Sequence, residues 1–280
     1  MKDTDLCGNR LEIVVPNAYE LAVNDKEEFV KIRRNGFGAS DSAIYLGVNK
    51  WTTVDQLIEQ KLAEGITQEE IEVGEKEAVR KGADLEPLIL DKFSKWSGFE
   101  LTKPDAMYRM IEHPQLTINF DGVTQMGDQY IPVEAKYVGV CANKYWDRSK
   151  AIDEVYNGSP RVCGGAGVVD HIEQEGMLYG IPAYYYTQVQ QQLLALNAPF
   201  GYLAALFDKG WELKVFKIYA DTFVQQNLIA TSRELWNIIK ERRHGKEQTA
   251  GKAVQRSVQT AGKSVQRNVQ TDKSDKSDYA

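Results

Sequence analysis

The sequence has few of the features that mark membrane, secreted and metal-thiolate proteins. It contains no run of about 18 apolar residues, so we expect no membrane-spanning helix. The first fifteen residues include two aspartates and lack the basic and then apolar order of a secretory signal. Cys7, Cys141 and Cys163 share no CxxC spacing, which argues against a disulfide framework and against zinc or iron–sulfur sites. We therefore expect reduced thiols and a cytoplasmic protein.

The chain also lacks an excess of positive charge. Its 34 Lys and Arg are outnumbered by 40 Asp and Glu, which gives a net charge of -6. No global basic field therefore indicates a polyanionic partner. An enzyme that holds divalent cations with carboxylates can nevertheless act on phosphates, because the metals and a few local basic residues offset the substrate charge. Charge alone leaves nucleic acid open as a substrate.

Large apolar side chains become scarce near the C-terminus. After residue 245 only four valines and Tyr279 remain, too few to build a core. Residues 249–259 and 260–270 form an 11-residue repeat, TAGKAVQRSVQ and TAGKSVQRNVQ. We predict a folded domain over 1–245 and a disordered tail over 246–280; the alternative for the tail is a short supercoiled helix.

The body of the chain predicts an α+β fold, with a small mixed sheet flanked by helices. Asp25 predicts a helix start, and Ser40 and Thr52 predict two further N-caps. A long amphipathic helix is predicted over about 75–96, in which Pro87 suggests a kink or a restart. The remaining predicted elements are strands over 107–111, 116–124 and 130–138, a helix over 183–197, strands over 200–207 and 211–219, and a closing helix over 222–243.

The predicted hairpin carries a candidate metal site. Strand side chains alternate between faces, so Glu134 and Lys136 share one face. If Asp121 projects to the same face, two carboxylates, a lysine and the Ala135 carbonyl converge where a divalent cation can bind. This set suits metal-assisted phosphodiester hydrolysis. Taken alone, the spacing D-x(12)-E-x-K more often means a cross-strand ion pair on a solvated sheet face.

Two further segments carry polar side chains beside apolar stripes. Glu86 lies next to the apolar stripe of the long helix, where a metal would compensate its charge; the alternative is a carboxylate exposed to water. Gln188 and Gln190 begin a largely apolar helix, where a glutamine facing the core needs a polar partner. The alternative for both is solvated glutamine.

Five segments, in order, resemble the motifs of the YqaJ-like viral recombinases, which include the phage lambda type of 5′ to 3′ exonuclease in the PD-(D/E)xK nuclease superfamily. These segments are KIRRNGFGASDSAIYLGV (31–48), KGADLEPLILDKF (81–93), NFDGV (119–123), VEAK (133–136) and PAYYYTQVQQQLLAL (182–196). The resemblance spans about residues 29–220 and implies a restriction-endonuclease-like core. The chain departs from the pattern where Tyr137-Val138 replaces a frequent Cys-Pro, and where the stretch 141–181 is longer than usual.

The resemblance implies a role for each candidate residue. It implies metal ligation by Asp121, Glu134 and Glu86, with Lys136 activating water and Gln188 or Gln190 near that water. The resemblance also places Arg33 and Ser40 at the 5′-terminal phosphate, where the adjacent Arg34 is an alternative to Arg33; a guanidinium fork suits a terminal phosphate dianion. For both arginines the competing interpretation is a charge on a helix surface. The expected cofactor is Mg²⁺, two ions per site, with Mn²⁺ as an option.

The implied function is a Mg²⁺-dependent 5′ to 3′ double-strand DNA exonuclease. It would resect DNA ends to 3′ single strands for a single-strand annealing protein, as a homotrimer in a bacterial cytoplasm, encoded by a phage or prophage. The main alternative is a catalytically silent DNA-end-binding or recombinase-loading protein of the same fold. A relative in the same superfamily that digests DNA with a different polarity is disfavoured. Such enzymes commonly carry a four-cysteine iron–sulfur site, which three unclustered cysteines cannot build. An interaction scaffold built around the tail is a third alternative.

Overall fold

The computed structural model describes residues 15–23, 25–63, 72, 76–156, 159–162 and 177–244. The predicted tail over 246–280 and its repeat lie outside these residues. The α-helices are α1 (Lys26–Arg34), α2 (Ser42–Tyr45), α3 (Val54–Leu62), α4 (Glu77–Ser97), α5 (Ala183–Leu196) and α6 (Thr222–Arg243). Short 3₁₀ helices cover Ala39–Asp41, Val140–Tyr145 and Arg148–Lys150.

The strands form one central sheet and two small ones. They are β1 (Ala18–Leu21), β2 (Met107–Met110), β3 (Thr117–Ile118), β4 (Gly122–Met126), β5 (Gln129–Val138), β6 (Ile152–Tyr156), β7 (Ser159–Val162), β8 (Met177–Leu178), β9 (Ile181–Pro182), β10 (Phe200–Phe207) and β11 (Glu212–Tyr219). The central six-stranded sheet has the order β4-β5-β10-β11-β6-β7. Within it β5 and β10 run parallel and the other neighbours antiparallel, so the predicted mixed sheet is confirmed.

Helices cover both faces of the central sheet at β5. On one face α4 packs against the hairpin: Leu90 lies 3.2 Å from where a Cβ on Gly122 would stand, and Lys81 lies over the Tyr137 ring. On the other face α5 packs over Glu134 through its glutamines. Glu134 and Tyr137 are three residues apart on β5, so their side chains point to opposite faces of the sheet. Helix α5 therefore covers one face of β5 and helix α4 covers the other.

The helix starts agree with the sequence in part. The Asp25 carboxylate accepts a hydrogen bond from the Glu28 amide (2.8 Å) and caps α1, as predicted. The cap predicted at Thr52 belongs to Thr53, which forms a capping box with Gln56. The cap predicted at Ser40 is wrong, because Ser40 lies inside a 3₁₀ helix that begins after Gly38. At the first position the Thr53 hydroxyl reaches the Gln56 amide. At the second the Asp41 carboxylate reaches back to the Gly38 amide (2.9 Å).

The strand predicted over 116–124 is two strands in two sheets. Thr117–Ile118 pairs with β2 in the three-stranded sheet β1-β2-β3, whereas Gly122–Met126 pairs with β5. The chain changes sheet between them, and Asp121 stands at the start of the second strand. Continuous apolar periodicity hid this break, since each half buries side chains in its own sheet.

The remaining predicted elements hold closely. The helix predicted to end at Asn197 ends one residue earlier, where Asn197 adopts a left-handed conformation (φ 48°) that terminates it. The strands β10 and β11 and the helix α6 agree with their predicted ranges. Within the described segments, no helix is both long and apolar enough to cross a bilayer.

Candidate active site

The β4–β5 hairpin brings the two predicted carboxylates together. A two-residue turn at Gly127 (φ 62°) sets the register in which Gly122 pairs with Val133, so the preceding Asp121 stands opposite Glu134. The Asp121 Oδ2 atom accepts a hydrogen bond from the Ala135 amide (2.9 Å) and lies 4.0 Å from the Lys136 Nζ. The predicted convergence on one face is therefore present.

Glu134 is the centre of the cluster, with only 1% of its surface exposed. Its Oε1 accepts hydrogen bonds from the Lys136 ammonium and the Gln188 amide. Its Oε2 accepts one from the Gln192 amide at 2.6 Å. A buried carboxylate needs such donors, because an unpaired charge in the interior carries a large desolvation cost.

The charges of the cluster perturb one another. Burial, and then the nearby Glu134 charge, raise the pKa of Asp121 to about 7, although Lys136 and the Ala135 amide act in the opposite direction. Burial lowers the pKa of Lys136, but the Glu134 and Asp121 carboxylates outweigh it and raise that pKa above its ordinary value. When both are ionised, the Asp121 and Glu134 carboxylates carry more negative charge than the single Lys136 ammonium neutralises.

The helix α5 separates the predicted glutamines. Gln188 reaches Glu134, whereas Gln190 donates to the Tyr219 carbonyl (2.8 Å) and accepts from the Asp221 amide (2.9 Å). The structure does not bring Gln190 to Glu134, since residues two apart on a helix face different directions, and its role in the site stays a prediction. Gln190 instead joins the end of β11 to the start of α6.

Gln192 is a site residue that sequence reasoning missed. Four residues beyond Gln188, it lies on the same side of α5, and its amide also approaches the Asn119 carbonyl (3.3 Å). The i, i+4 spacing of the two glutamines was the signal that could have revealed it.

Glu86 forms an ion pair with Lys103. It lies on α4, and its Oε1 accepts a hydrogen bond from the Lys103 ammonium. Across the residues that the structure describes, no group of three or more His, Cys, Asp or Glu side chains is arranged to hold a metal ion. The role of Glu86 as a metal ligand stays a prediction.

Arg33 and Ser40 form a second polar cluster around Asp41. The Arg33 Nη2 atom lies 3.3 Å from Ser40 Oγ and 3.1 Å from Asp41 Oδ1. The other Asp41 oxygen accepts from the Lys61 ammonium (2.7 Å) and the Gly38 amide (2.9 Å). The Arg33 side chain is 36% exposed, so its guanidinium is open to an anion from solution.

Arg34, next to Arg33, is buried. Only 8% of its surface is exposed, and its carbonyl accepts a hydrogen bond from Arg243 (2.6 Å). Its predicted role as an alternative to Arg33 does not fit this burial, because a terminal phosphate must arrive from solvent.

The two clusters meet at the first turns of α5. The Ser42 hydroxyl bonds the Thr187 hydroxyl (3.0 Å), and the Tyr45 hydroxyl donates to the Gln191 Oε1 (2.8 Å). The segment that carries Ser40 is thereby docked beside the helix turn from which Gln188 reaches Glu134. A phosphate group bound at Arg33 and a strand entering the carboxylate cluster would thus lie on neighbouring surfaces.

Comparison with known families shows which family the chain belongs to. A model of the YqaJ-like viral recombinase domain matches residues 28–197, more than half of the chain. The chain belongs to this family. The matched range includes every residue of both clusters, from Arg33 to Gln192. The YqaJ-like domain is 28% identical over 151 residues to the uncharacterized protein YqaJ of Bacillus subtilis (strain 168); the match covers 54% of this chain and 44% of that protein, less than half of its length.

Solved structures share the fold of this YqaJ-like domain. An alkaline exonuclease of Laribacter hongkongensis, LHK-Exo, superposes with a TM-score of 0.51 at 15% identity, over 78% of this chain and 94% of that one. LHK-Exo in complex with dAMP gives a TM-score of 0.50 at 16% identity, over 78% and 98%. At these identities the likeness concerns the fold, and the predicted restriction-endonuclease-like core is confirmed.

Proposed function

We propose that this YqaJ-like domain is a Mg²⁺-dependent 5′ to 3′ double-strand DNA exonuclease. The observation that carries the proposal is the convergence of Asp121, Glu134 and Lys136 on one sheet face, with Gln188 donating to Glu134. Two carboxylates beside a lysine suit hydrolysis of a phosphodiester. The likeness to LHK-Exo, an alkaline exonuclease also crystallised with dAMP, supports a nuclease among the activities that this fold can host.

The donor set fits Mg²⁺. Asp121, Glu134 and the Ala135 carbonyl supply hard oxygen ligands, the kind that this cation prefers. The raised pKa of Asp121 marks a buried pair of carboxylates with excess negative charge, which a divalent cation would relieve. Glu86 is a further candidate ligand. When bound, Mg²⁺ or Mn²⁺ polarises the scissile phosphate and acidifies water, and a two-ion site is the arrangement we propose.

Lys136 is the residue that can move a proton at this site. While both carboxylates face it, the lysine is held in its charged form. Neutralisation of those carboxylates lowers the pKa of the lysine, so its amine can take a proton from an attacking water. Gln188 and Gln192 hold the Glu134 carboxylate in place during this exchange.

Arg33 and Ser40 offer a reason why digestion would start at the 5′ end. The exposed guanidinium beside a hydroxyl suits a terminal phosphate dianion, and Asp41 fixes its orientation. We propose that capture of the 5′ phosphate there directs digestion inward from the 5′ end. Resection would leave 3′ single strands for an annealing protein in phage-type recombination in a bacterial cytoplasm, with a homotrimer as the proposed assembly.

The test is release of acid-soluble nucleotides from linear duplex DNA with Mg²⁺. We expect release by the native chain, loss of at least a hundredfold in Lys136→Ala, and native rates in Lys214→Ala, a surface lysine that pairs with Glu212. Equal rates in the native chain and Lys136→Ala would contradict the proposed site. Binding of duplex ends without any release would favour the silent end-binding alternative.

A further inference from the structure

A continuous path of aromatic rings leads from the protein surface to the candidate active site. Trp51 packs edge-on against Tyr184, with ring centroids 5.0 Å apart, and Tyr184 packs against Tyr185 at 4.5 Å. The Lys136 Nζ lies 5.3 Å from the centre of the Tyr185 ring. Three successive contacts therefore connect an outer indole to the lysine beside Glu134.

The outer end of this path is exposed and fixed in position. Trp51 is 67% exposed, the highest fraction among the large hydrophobic side chains that the structure describes. The backbone beneath it is held because the Trp51 and Thr52 amides both donate to the Asn49 side chain at 2.8 Å. An indole so exposed gains little from burial, so its stability role is small.

Positive charge lies around a neighbouring ring, Tyr145, which is near enough to Tyr184 to contribute to the raised pKa of the Tyr184 hydroxyl, after burial. The Lys50 Nζ lies 4.8 Å and the Lys144 Nζ 5.1 Å from the centre of the Tyr145 ring. Neither lysine has a carboxylate within ion-pair distance in the described part of the chain. An exposed indole, beside half-buried tyrosines and lysines without a carboxylate partner in the described residues, complements a strand of phosphates carrying bases.

We propose that Trp51 and Tyr184 form a nucleobase-stacking subsite for single-stranded DNA, with Lys50 and Lys144 as its phosphate contacts. This subsite deepens the proposed function and rests on it: the stacked bases would be those of the strand leading to Lys136. Because every base has an apolar face, the subsite binds without regard to sequence. Because Lys136 contacts the Tyr185 ring, a strand stacked on Trp51 and Tyr184 would lead toward the reacting centre.

Binding of short oligonucleotides without divalent cation tests the subsite separately from hydrolysis. The probes are a labelled oligothymidylate and an abasic strand of the same length, measured by fluorescence anisotropy at one salt concentration. We expect Trp51→Ala to weaken oligothymidylate binding about tenfold and leave abasic binding unchanged. Trp51→Phe should restore most of the loss. Tyr19→Ala, an exposed aromatic on β1, should behave as the native chain.

Other outcomes separate the two proposals. Equal effects of Trp51→Ala on both probes, or no effect on either, would overturn the subsite. If Trp51→Ala fails to fold, the fallback measurement is quenching of tryptophan emission by oligothymidylate in the native chain and in Trp51→Phe. Loss of the quenching in Trp51→Phe supports the subsite. Unchanged quenching in that variant overturns it. Base-dependent binding in a chain that releases no nucleotides with Mg²⁺ would overturn the nuclease and leave the subsite standing.

Discussion

Glu134 is a buried carboxylate whose charge is stabilised by several hydrogen-bond donors. Three side-chain donors from two elements reach its oxygens, and the charge of Asp121 lies across the hairpin. Strand alternation predicts that Glu134 and Lys136 share a face, and the sequence left open whether Asp121 joins them; the hairpin register shows that it does. The i, i+4 spacing puts Gln192 on the same side of α5 as Gln188, but that this side faces β5 depends on packing that the sequence does not show. The same packing does not bring Gln190 to Glu134.

Asp121→Asn should stabilise the metal-free protein at pH 8. The folded pKa of Asp121, about 7, exceeds its ordinary value of 3.8, so its contribution to stability is present below pH 3.8 and lost as the pH rises toward 7. Asparagine keeps an oxygen for the Ala135 amide and removes the charge. We expect a gain of roughly 1–3 kcal/mol at pH 8, measured by denaturant unfolding.

The gain in Asp121→Asn should shrink when unfolding is measured at pH 4, where the native aspartate is protonated in the folded state. A gain that is the same at both pH values would contradict the assigned electrostatic origin.

Gln192 and Gln190 offer a matched pair of substitutions on one helix. Gln192→Leu removes a donor to Glu134 and should lower kcat for DNA hydrolysis at least tenfold with a smaller change in KM. Gln190→Leu loses the contacts to Tyr219 and Asp221, so it should lower stability by about 1–3 kcal/mol and leave kcat near the native value. Steady-state kinetics and denaturant unfolding of both variants check this, and the opposite pattern would refute our assignment.

At the scale of elements, the Asp41 cluster holds α1, α3 and the segment before α2 together. Lys61 of α3 is 3% exposed, and its ammonium contacts both Asp41 and the Arg33 carbonyl (2.9 Å). Burial alone would raise the pKa of Asp41, but the Lys61 and Arg33 charges lower it below its usual value. The cluster therefore depends on the charged state of each partner.

Lys61→Met should destabilise the protein by about 3–5 kcal/mol, because it leaves Asp41 buried without its main counter-charge. Denaturant unfolding at pH 7 measures the loss. The double variant Asp41→Asn/Lys61→Met should recover part of it, since both charges are then absent. Additive losses in the double variant would show that the two residues act independently.

The sequence predicted the elements that depend on capping residues and on apolar periodicity. It did not predict the strand boundaries that depend on pairing with distant parts of the chain. The Asp25 cap, the α4 helix and the β10–β11 strands follow from capping chemistry and periodicity. The division of 116–124 into β3 and β4 depends on which sheet each half joins. That choice is made by partners distant in sequence, which explains why a single stretch of apolar alternation concealed it.

At the scale of the whole molecule, the site lies where one sheet face meets α5 and the Asp41 cluster docks beside it. Motif order predicted this family and fold from the sequence, since five short segments occur in the family's order. The exposed path from Trp51 to Lys136 had no such signal, because it assembles residues from three separate segments.

Mg²⁺ binding should stabilise the whole fold. At a concentration about ten times its dissociation constant, the ion adds about 1.4 kcal/mol, which for a domain of this size shifts the midpoint of thermal unfolding by about 3–6 °C. We expect this shift in the native chain and its loss in Asp121→Asn, monitored by thermal denaturation at pH 8. A shift of equal size in both proteins would place the cation elsewhere.

The most direct test of the central claim is digestion of linear duplex DNA carrying a label at either the 5′ or the 3′ end, with Mg²⁺. The native chain should release the label early from the phosphorylated 5′ end and late from the 3′ end, leave closed circular DNA intact, and lose all release in Lys136→Ala. Early release from the 3′ end, or release by Lys136→Ala at the native rate, would contradict the account.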